Sequence, residues 1–235
     1  LGVMEALSRS ISNIGFFRPV IKAAEPPDND IQLILKRYNP RLPYTDTYGC
    51  TYAEASEMIA KGQSSELLIA ILTRYKRLES QCDFVLCEGT DYTGVSSALE
   101  FDFNAAVASN LGCPMMIVVN GSEKAPRLLP DAIQVALNAL EARNCTVAAA
   151  CVNRIPPDQM EAAAAVFAAN PVGAVKIHLL PMDASLERPT VGDIATGLEA
   201  RLLCGGPEVL NRNVLDCKVA AMQLPQFLDH LTEGA

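Results

Sequence analysis

Three observations predict an α/β fold built on a doubly wound, mostly parallel sheet with helices on both faces. First, short apolar runs recur, among them Phe84 to Cys87, Cys113 to Val119 and Val147 to Val152. They lack the alternation of a half-exposed strand, so they read as strands buried on both faces, as in a parallel sheet. Second, segments with apolar residues at helical spacing separate them, and strand and helix alternate five times. Parallel strands need such crossovers, and these are right-handed. Third, polar clusters follow the runs directly, Glu88-Gly-Thr-Asp91 after Cys87 and Asn153-Arg154 after Val152. That is the carboxyl edge, where open α/β sheets bind ligands.

The elements follow in order. Leu1, Met4, Leu7 and Ile11 share one helical face, with no capping residue ahead of them, so the sequence is read as entering in mid-helix. Ile14 to Phe17 reads as a buried strand that Pro19 ends. Arg18 then sits at its carboxyl end, either on the same rim as Glu88 or as a plain surface cation. Asp28 caps a helix from about Ile31 to Tyr38. Asn39 to Gly49 reads as irregular. Thr51-Tyr-Ala-Glu54 forms a capping box for a short helix to about Lys61. A longer helix from Ser64 or Ser65 to Leu78 turns Leu68, Ile71, Leu72 and Tyr75 inward. After the strand at 84–87 come a helix over 97–110, a strand over 113–120, a helix over 131–143 and a strand over 146–153. An Ala-rich helix over 158–169, capped by Asp158, and a strand over 173–180 complete the first domain, residues 1–182. A linker over 183–189 leads to a small second unit, residues 190–235. There a helix over 190–198, a strand over 200–204, an apolar stretch over 214–222 and a helix over 225–231 are expected. About 45 residues seldom bury a sufficient core alone, so this unit reads as incomplete.

Composition narrows the function. The chain has 235 residues, half of them hydrophobic, and a net charge of −8. An acidic chain is a poor partner for nucleic acid. No apolar run is long enough to span a membrane, and no signal peptide is evident. None of the eight cysteines is spaced as a CxxC pair, which argues against a zinc site or a secreted disulfide framework. Reduced, buried thiols and a cytoplasmic location are expected. His178 reads as a packed core or edge histidine in a strand rather than a catalyst.

Asp83 to Gly94 carries the chemistry. Glu88, Thr90, Asp91 and Thr93 offer carboxylates and hydroxyls between Gly89 and Gly94. Such a set suits a hydrated Mg²⁺ beside phosphates, because Mg²⁺ prefers oxygen ligands and keeps several waters. The alternative is a polar turn that caps the next helix.

Taken together, Gly15-Phe-Phe-Arg-Pro-Val20, Cys87-Glu-Gly-Thr-Asp-Tyr-Thr-Gly94, Ile117-Val-Val-Asn-Gly121 and Cys151-Val-Asn-Arg154 resemble the N-terminal half of long-form phosphate acetyltransferases. That half is itself similar to dethiobiotin synthetase, a P-loop-type fold. Pro189-Thr-Val-Gly-Asp-Ile194 and Val219 to Leu228 look like the opening of the small domain named for its Asp-Arg-Thr-Gly-Gly motif. The resemblance implies a nucleotide site made of Arg18, Glu88, Thr90, Asp91, Asn120 and Asn153, with Asn153 reading adenine. It implies Mg²⁺ at Glu88 and Asp28, and ATP or NADH as a small-molecule effector. It also implies a homo-oligomer, and the charge and the lack of a long apolar run add that neither nucleic acid nor membrane is a partner. The sequence departs from the pattern in three places. No GxxxxGK[ST] phosphate loop occurs; the resemblance places the first strand and that loop just before Leu1. Arg18 stands where the synthetases carry lysine, and Asp91 where they carry glycine.

Three functions follow from the resemblance. One is a non-catalytic regulatory and assembly region of a phosphate acetyltransferase, lacking the acetyl-transfer domain. Another is a stand-alone ATP-dependent ligase of the dethiobiotin synthetase type. The third is a partner-binding scaffold with a relic nucleotide site.

Overall fold

A computed structural model describes residues 1–39, 41–90, 97–183, 186, 188–202 and 205–214, with the backbone alone over 97–100. The fold is α/β, with parallel sheets flanked by helices. Helix α1 (Gly2–Ser8) precedes strand β1 (Ile14–Ile21), α2 (Asn29–Tyr38), β2 (Tyr48–Thr51), α3 (Tyr52–Ala60), α4 (Ser64–Glu79), β3 (Phe84–Cys87) and α5 (Ser97–Leu111). Then come β4 (Met115–Asn120), α6 (Leu129–Glu141), β5 (Val147–Ile155), α7 (Met160–Ala169), β6 (Lys176–Pro181) and α8 (Val191–Gly197).

One sheet has the order β2-β1-β3 and the other β4-β5-β6. Strand β1 pairs in parallel with both its neighbours, and it changes partner midway. Residues 14–17 face β3, from Ile14↔Phe84 to Phe17↔Cys87. Residues 18–21 face β2, from Arg18↔Tyr48 to Ile21↔Thr51. Pro19 therefore does not end the strand. It marks the change of partner, a place where the ladder tolerates a missing donor. Strand β2 lies within a stretch read as irregular. It has four residues, too few for a periodic signal, and one is Gly49. A Cβ there would collide with the Pro19 carbonyl oxygen, so only glycine lets β2 approach β1 this closely. Between β4 and β5, Met115 N donates to Thr146 O and Gly121 N to Asn153 O. Partner numbers rise together along the two strands, which makes the pair parallel.

By their contacts the residues group into two compact units. One comprises Leu1–Ile117, Pro130–Ala150 and Val172–Ile177; the other comprises Val118–Leu129, Cys151–Pro171 and the described residues from His178 onward. In the first, Phe17 and Val20 of β1 pack with Cys50, Leu67, Ile71, Tyr75 and Leu78, the rings of Phe17 and Tyr75 meeting edge to face at 5.6 Å. Ile14, Phe16 and Ile21 pack with Met4, Ile31 and Ile34 in a separate cluster. So β1 is covered on both faces. The inward face of α4 is Leu67, Ile71, Tyr75 and Leu78. Leu68 and Leu72 are only partly buried, because the stripe runs one residue earlier than the sequence spacing indicated.

Other expectations are corrected. Leu1 is exposed, whereas Met4 is fully buried. Strands β3 and β4 are not buried on both faces: Phe84, Met116 and Val118 are 41%, 44% and 58% exposed. Asp158 does not cap α7; it lies in a preceding 3-10 turn, Pro157–Gln159, and Gln159 takes the cap position without a side-chain bond. Residues 200–202 form no strand. The caps at Asp28 and Thr51 are present as expected, and Thr190 closes a further capping box with Asp193 at the start of α8. The stretches 219–228 and 225–231, with Cys204, Cys217 and His230, lie outside the described residues. Cys50, Cys82, Cys87, Cys113, Cys145 and Cys151 are free thiols. Burial pushes the Cys50 thiol up to about 11 and the Cys87 thiol up to about 12. No described helix is long and apolar enough to cross a membrane.

Candidate functional site

Where β1 passes the end of β3, Arg18 projects into a ring of carboxylates. Its NH1 lies 2.6 Å from Asp28 Oδ2 and 3.4 Å from Asp30 Oδ2, and its Nε lies 3.7 Å from Glu88 Oε2. The Arg18 and Asp28 side chains are 12% and 11% exposed, whereas Glu88 and Asp30 stand more open at 47% and 67%. The fold sets these positions locally. Glu88 directly follows β3, and its N–H donates to Phe17 O at 2.9 Å, extending the β1–β3 ladder by one step. The Arg18 N–H donates to Thr47 O at 2.8 Å on the other side. Asp28 is the N-cap of α2: its Oδ1 accepts from Asp30 N and Ile31 N. The backbone N–H of Asp28 donates to Tyr44 Oη at 2.8 Å.

Burial raises the Glu88 carboxyl above the ordinary glutamate value. The Arg18 guanidinium pulls it back down, and Asp30 adds a further upward push. Thr90, two residues on, is buried, and Asn104 of α5 clamps its backbone: Thr90 N donates to Asn104 Oδ1 at 2.9 Å, and Asn104 Nδ2 donates to Thr90 O at 3.0 Å.

Arg18 Nε and Thr90 Oγ1 are buried polar atoms without a hydrogen-bond partner. Each is a group that an incoming polar partner would satisfy, since Nε donates and a hydroxyl both donates and accepts. Among the described residues no three of His, Cys, Asp and Glu converge to hold a metal. Asp28 and Glu88 stand on either side of a guanidinium. A divalent ion here would therefore take much of its coordination from water and phosphate, which is the habit of Mg²⁺.

The sequence-derived residues thus fall into two groups. Arg18, Asp28 and Glu88 come together, with Thr90 next along the chain. Asn120 and Asn153 belong to the second unit, where β4–β5 pairing joins their neighbourhood through Gly121 N and Asn153 O at 2.7 Å. Asn120 is engaged in a local turn: its Oδ1 accepts from Ser122 N and Oγ, and its Nδ2 donates to Glu123. Asn153 Oδ1 accepts from the N–H of Arg154, which adopts a left-handed φ of 61°. Asp91 lies outside the described residues. Sequence reasoning missed Asp30, Tyr44 and Asn104. Asp30 lies two residues past the cap, a visible signal, but nothing in the sequence marks Asn104 as a backbone clamp.

The family model described as an AAA domain matches residues 1–190. The chain is 38% identical to a phosphate acetyltransferase of Nitratidesulfovibrio vulgaris, an alignment covering 100% of this chain and 34% of that protein. It is 32% identical to a phosphate acetyltransferase of a Synechocystis species, over 99% of this chain and 34% of that protein. A phosphate acetyltransferase of Nitrosomonas europaea is 22% identical over the whole chain. The chain spans about a third of the length of these relatives.

Proposed function

The chain belongs to the AAA domain family, and on that premise we propose that it is the regulatory and assembly region of a phosphate acetyltransferase, with a nucleotide as effector at the Arg18–Glu88 rim. The parent reaction is the exchange of acetyl-CoA and phosphate for acetyl phosphate and CoA. The observation that carries this reading is the largely covered Arg18 side chain, held by Asp28 and faced by Glu88, with its Nε unpartnered. An oxyanion at Nε gains a charge-assisted hydrogen bond. Glu88, the more open carboxylate, is free to meet a Mg²⁺ carried on the phosphates; Asp28 as a ligand would have to release Arg18 or the helix cap. The resemblance assigns Asp91, Asn120 and Asn153 to a nucleotide as well. The region is read as non-catalytic, as the resemblance implies for this half of the acetyltransferases. The relatives' names supply the parent activity. A homo-oligomer in the cytoplasm belongs to the same proposal.

The test is calorimetric titration of Mg-ATP, then NADH, into the full-length protein, alongside its acetyl-transfer rate and its mass in solution. Saturable binding without hydrolysis, with a changed transfer rate, is the expected result. Hydrolysis or ligation on binding would replace this reading with the ligase. Absence of binding to either would leave a scaffold.

A further inference from the structure

We infer that Asp28 is the positioning residue of this site: it fixes Arg18 so that the guanidinium offers its Nε edge to an oxyanion. The inference rests on reading the Arg18–Glu88 rim as an anion site. Asp28 uses its two carboxylate oxygens for different tasks. Oδ2 accepts from Arg18 NH1 at 2.6 Å. Oδ1 accepts from Asp30 N and Ile31 N, both at 3.1 Å, and so caps α2. The carboxylate cannot turn toward or away from Arg18 without uncapping the helix. Helix α2 is itself fixed by Ile31 and Ile34, 0% and 4% exposed. The backbone of Asp28 is tied in turn to Tyr44 Oη. Oδ2 is therefore a fixed point in the fold.

A guanidinium is a rigid planar fork of five donors. With NH1 held by Asp28, the fork loses its freedom to rotate about the side-chain axis. Its Nε then lies 3.7 Å from Glu88 Oε2, too far for a hydrogen bond, and buried without an acceptor. An incoming oxyanion can bond to Nε while NH1 stays on Asp28. Lysine cannot perform both tasks with this geometry, because its donors radiate from a single nitrogen. Without the Asp28 charge, Arg18 has two other carboxylates at hand: Asp30, which already accepts from NH1 at 3.4 Å, and Glu88. Glu88 and Asp30 are open carboxylates within reach, and a planar fork pairs readily with either. Collapse onto one of them would neutralise the cation within the protein.

Serine and asparagine at position 28 retain a cap acceptor and remove the charge, whereas alanine removes both. Asp28→Ser, Asp28→Asn and Asp28→Ala in the full-length protein are to be compared by Mg-ATP calorimetry, thermal unfolding and the NMR resonance of the Arg18 Nε–H in arginine-labelled protein. The expected result is a loss of roughly tenfold or more in affinity in Asp28→Ser and Asp28→Asn, the size of one lost charge-assisted interaction, with a smaller fall in unfolding temperature than in Asp28→Ala. The Arg18 Nε–H resonance should shift from its wild-type position in both. Asp28→Ala should match their affinity loss and also unfold at lower temperature. Wild-type affinity in the cap-retaining variants would overturn the inference, and so would affinity that falls only with the cap. An unchanged Nε–H resonance in Asp28→Ser and Asp28→Asn would overturn it whatever the ligand does. If the wild-type protein binds no nucleotide, the effector reading fails, and that resonance still decides whether Asp28 positions Arg18.

Discussion

Strands β1 and β4 look alike in sequence and differ in the structure. Ile-Gly-Phe-Phe-Arg-Pro-Val-Ile and Met-Met-Ile-Val-Val-Asn are both largely apolar runs, and Ile14 to Phe17 of the first and all of the second read as buried strands. In β1 every residue except Arg18 is buried; in β4 none is. The cause is place in the sheet. Strand β1 is the middle strand of β2-β1-β3, with clusters packed on each face, and β4 is the end strand of β4-β5-β6. An apolar run reports that a segment is a strand. What covers it depends on strand order, and strand order is a long-range property.

The sharpest test of this contrast is Phe17→Ala. Phe17 is fully buried and meets Tyr75 edge to face. Its removal should cost about 3–5 kcal/mol, measured by denaturant unfolding. A loss below about 1 kcal/mol would mean that β1 is not the centre of its cluster. Next comes Gly49→Ala, which places a Cβ against the Pro19 carbonyl oxygen. The collision is with backbone, so the strand pair must part. The expected cost is about 1–3 kcal/mol, concentrated in faster amide exchange along residues 18–21. Uniform exchange in that stretch would show that the close approach is not what glycine provides there.

These two positions also show what the sequence made legible. The alternation of strand and helix was readable because each element carries its own periodicity, and the caps at Asp28 and Thr51 because capping is a local hydrogen-bond problem. Arg18 and Glu88 were readable as rim residues, since a polar group that ends an apolar run falls at a strand end. Strand β2 was not readable: its four residues gain their place from Gly49 meeting Pro19, about 30 positions away in sequence. Nor was the second oxygen of Asp28. A cap can be read from spacing, but its ion pair with Arg18 depends on how α2 sits on β1.

A smaller effect separates the rim from the core beside it. Glu88 bonds through its N–H to Phe17 O, yet its carboxyl faces the open rim. Burial, as the largest cause, raises its folded pKa above the ordinary value. Its contribution to stability is therefore complete at low pH and is lost as pH rises through the folded value. Glu88→Gln does not titrate. Measured against wild type, the variant should gain relative stability as pH climbs from the ordinary glutamate value through the raised one, and stay level on either side. A shift of the opposite sign would mean that the Arg18 pairing outweighs burial.

The smallest expected effect belongs to β4, and it can break the comparison by itself. Val118 is 58% exposed on the end strand. Val118→Thr keeps the β-branched shape and changes only one methyl to a hydroxyl. In a core such a swap buries an unpaired hydroxyl and costs on the order of 1–3 kcal/mol. On an exposed strand face the hydroxyl stays in water and β-propensity is retained, so the change should lie within about 0.5 kcal/mol. If full-length protein carrying Val118→Thr unfolds as wild type does, the outward face of β4 is solvent, as it is here. If it loses the full core cost, that face is covered in the intact protein, and the difference between β1 and β4 is one of what packs on them in this chain and not of what each strand is built to meet.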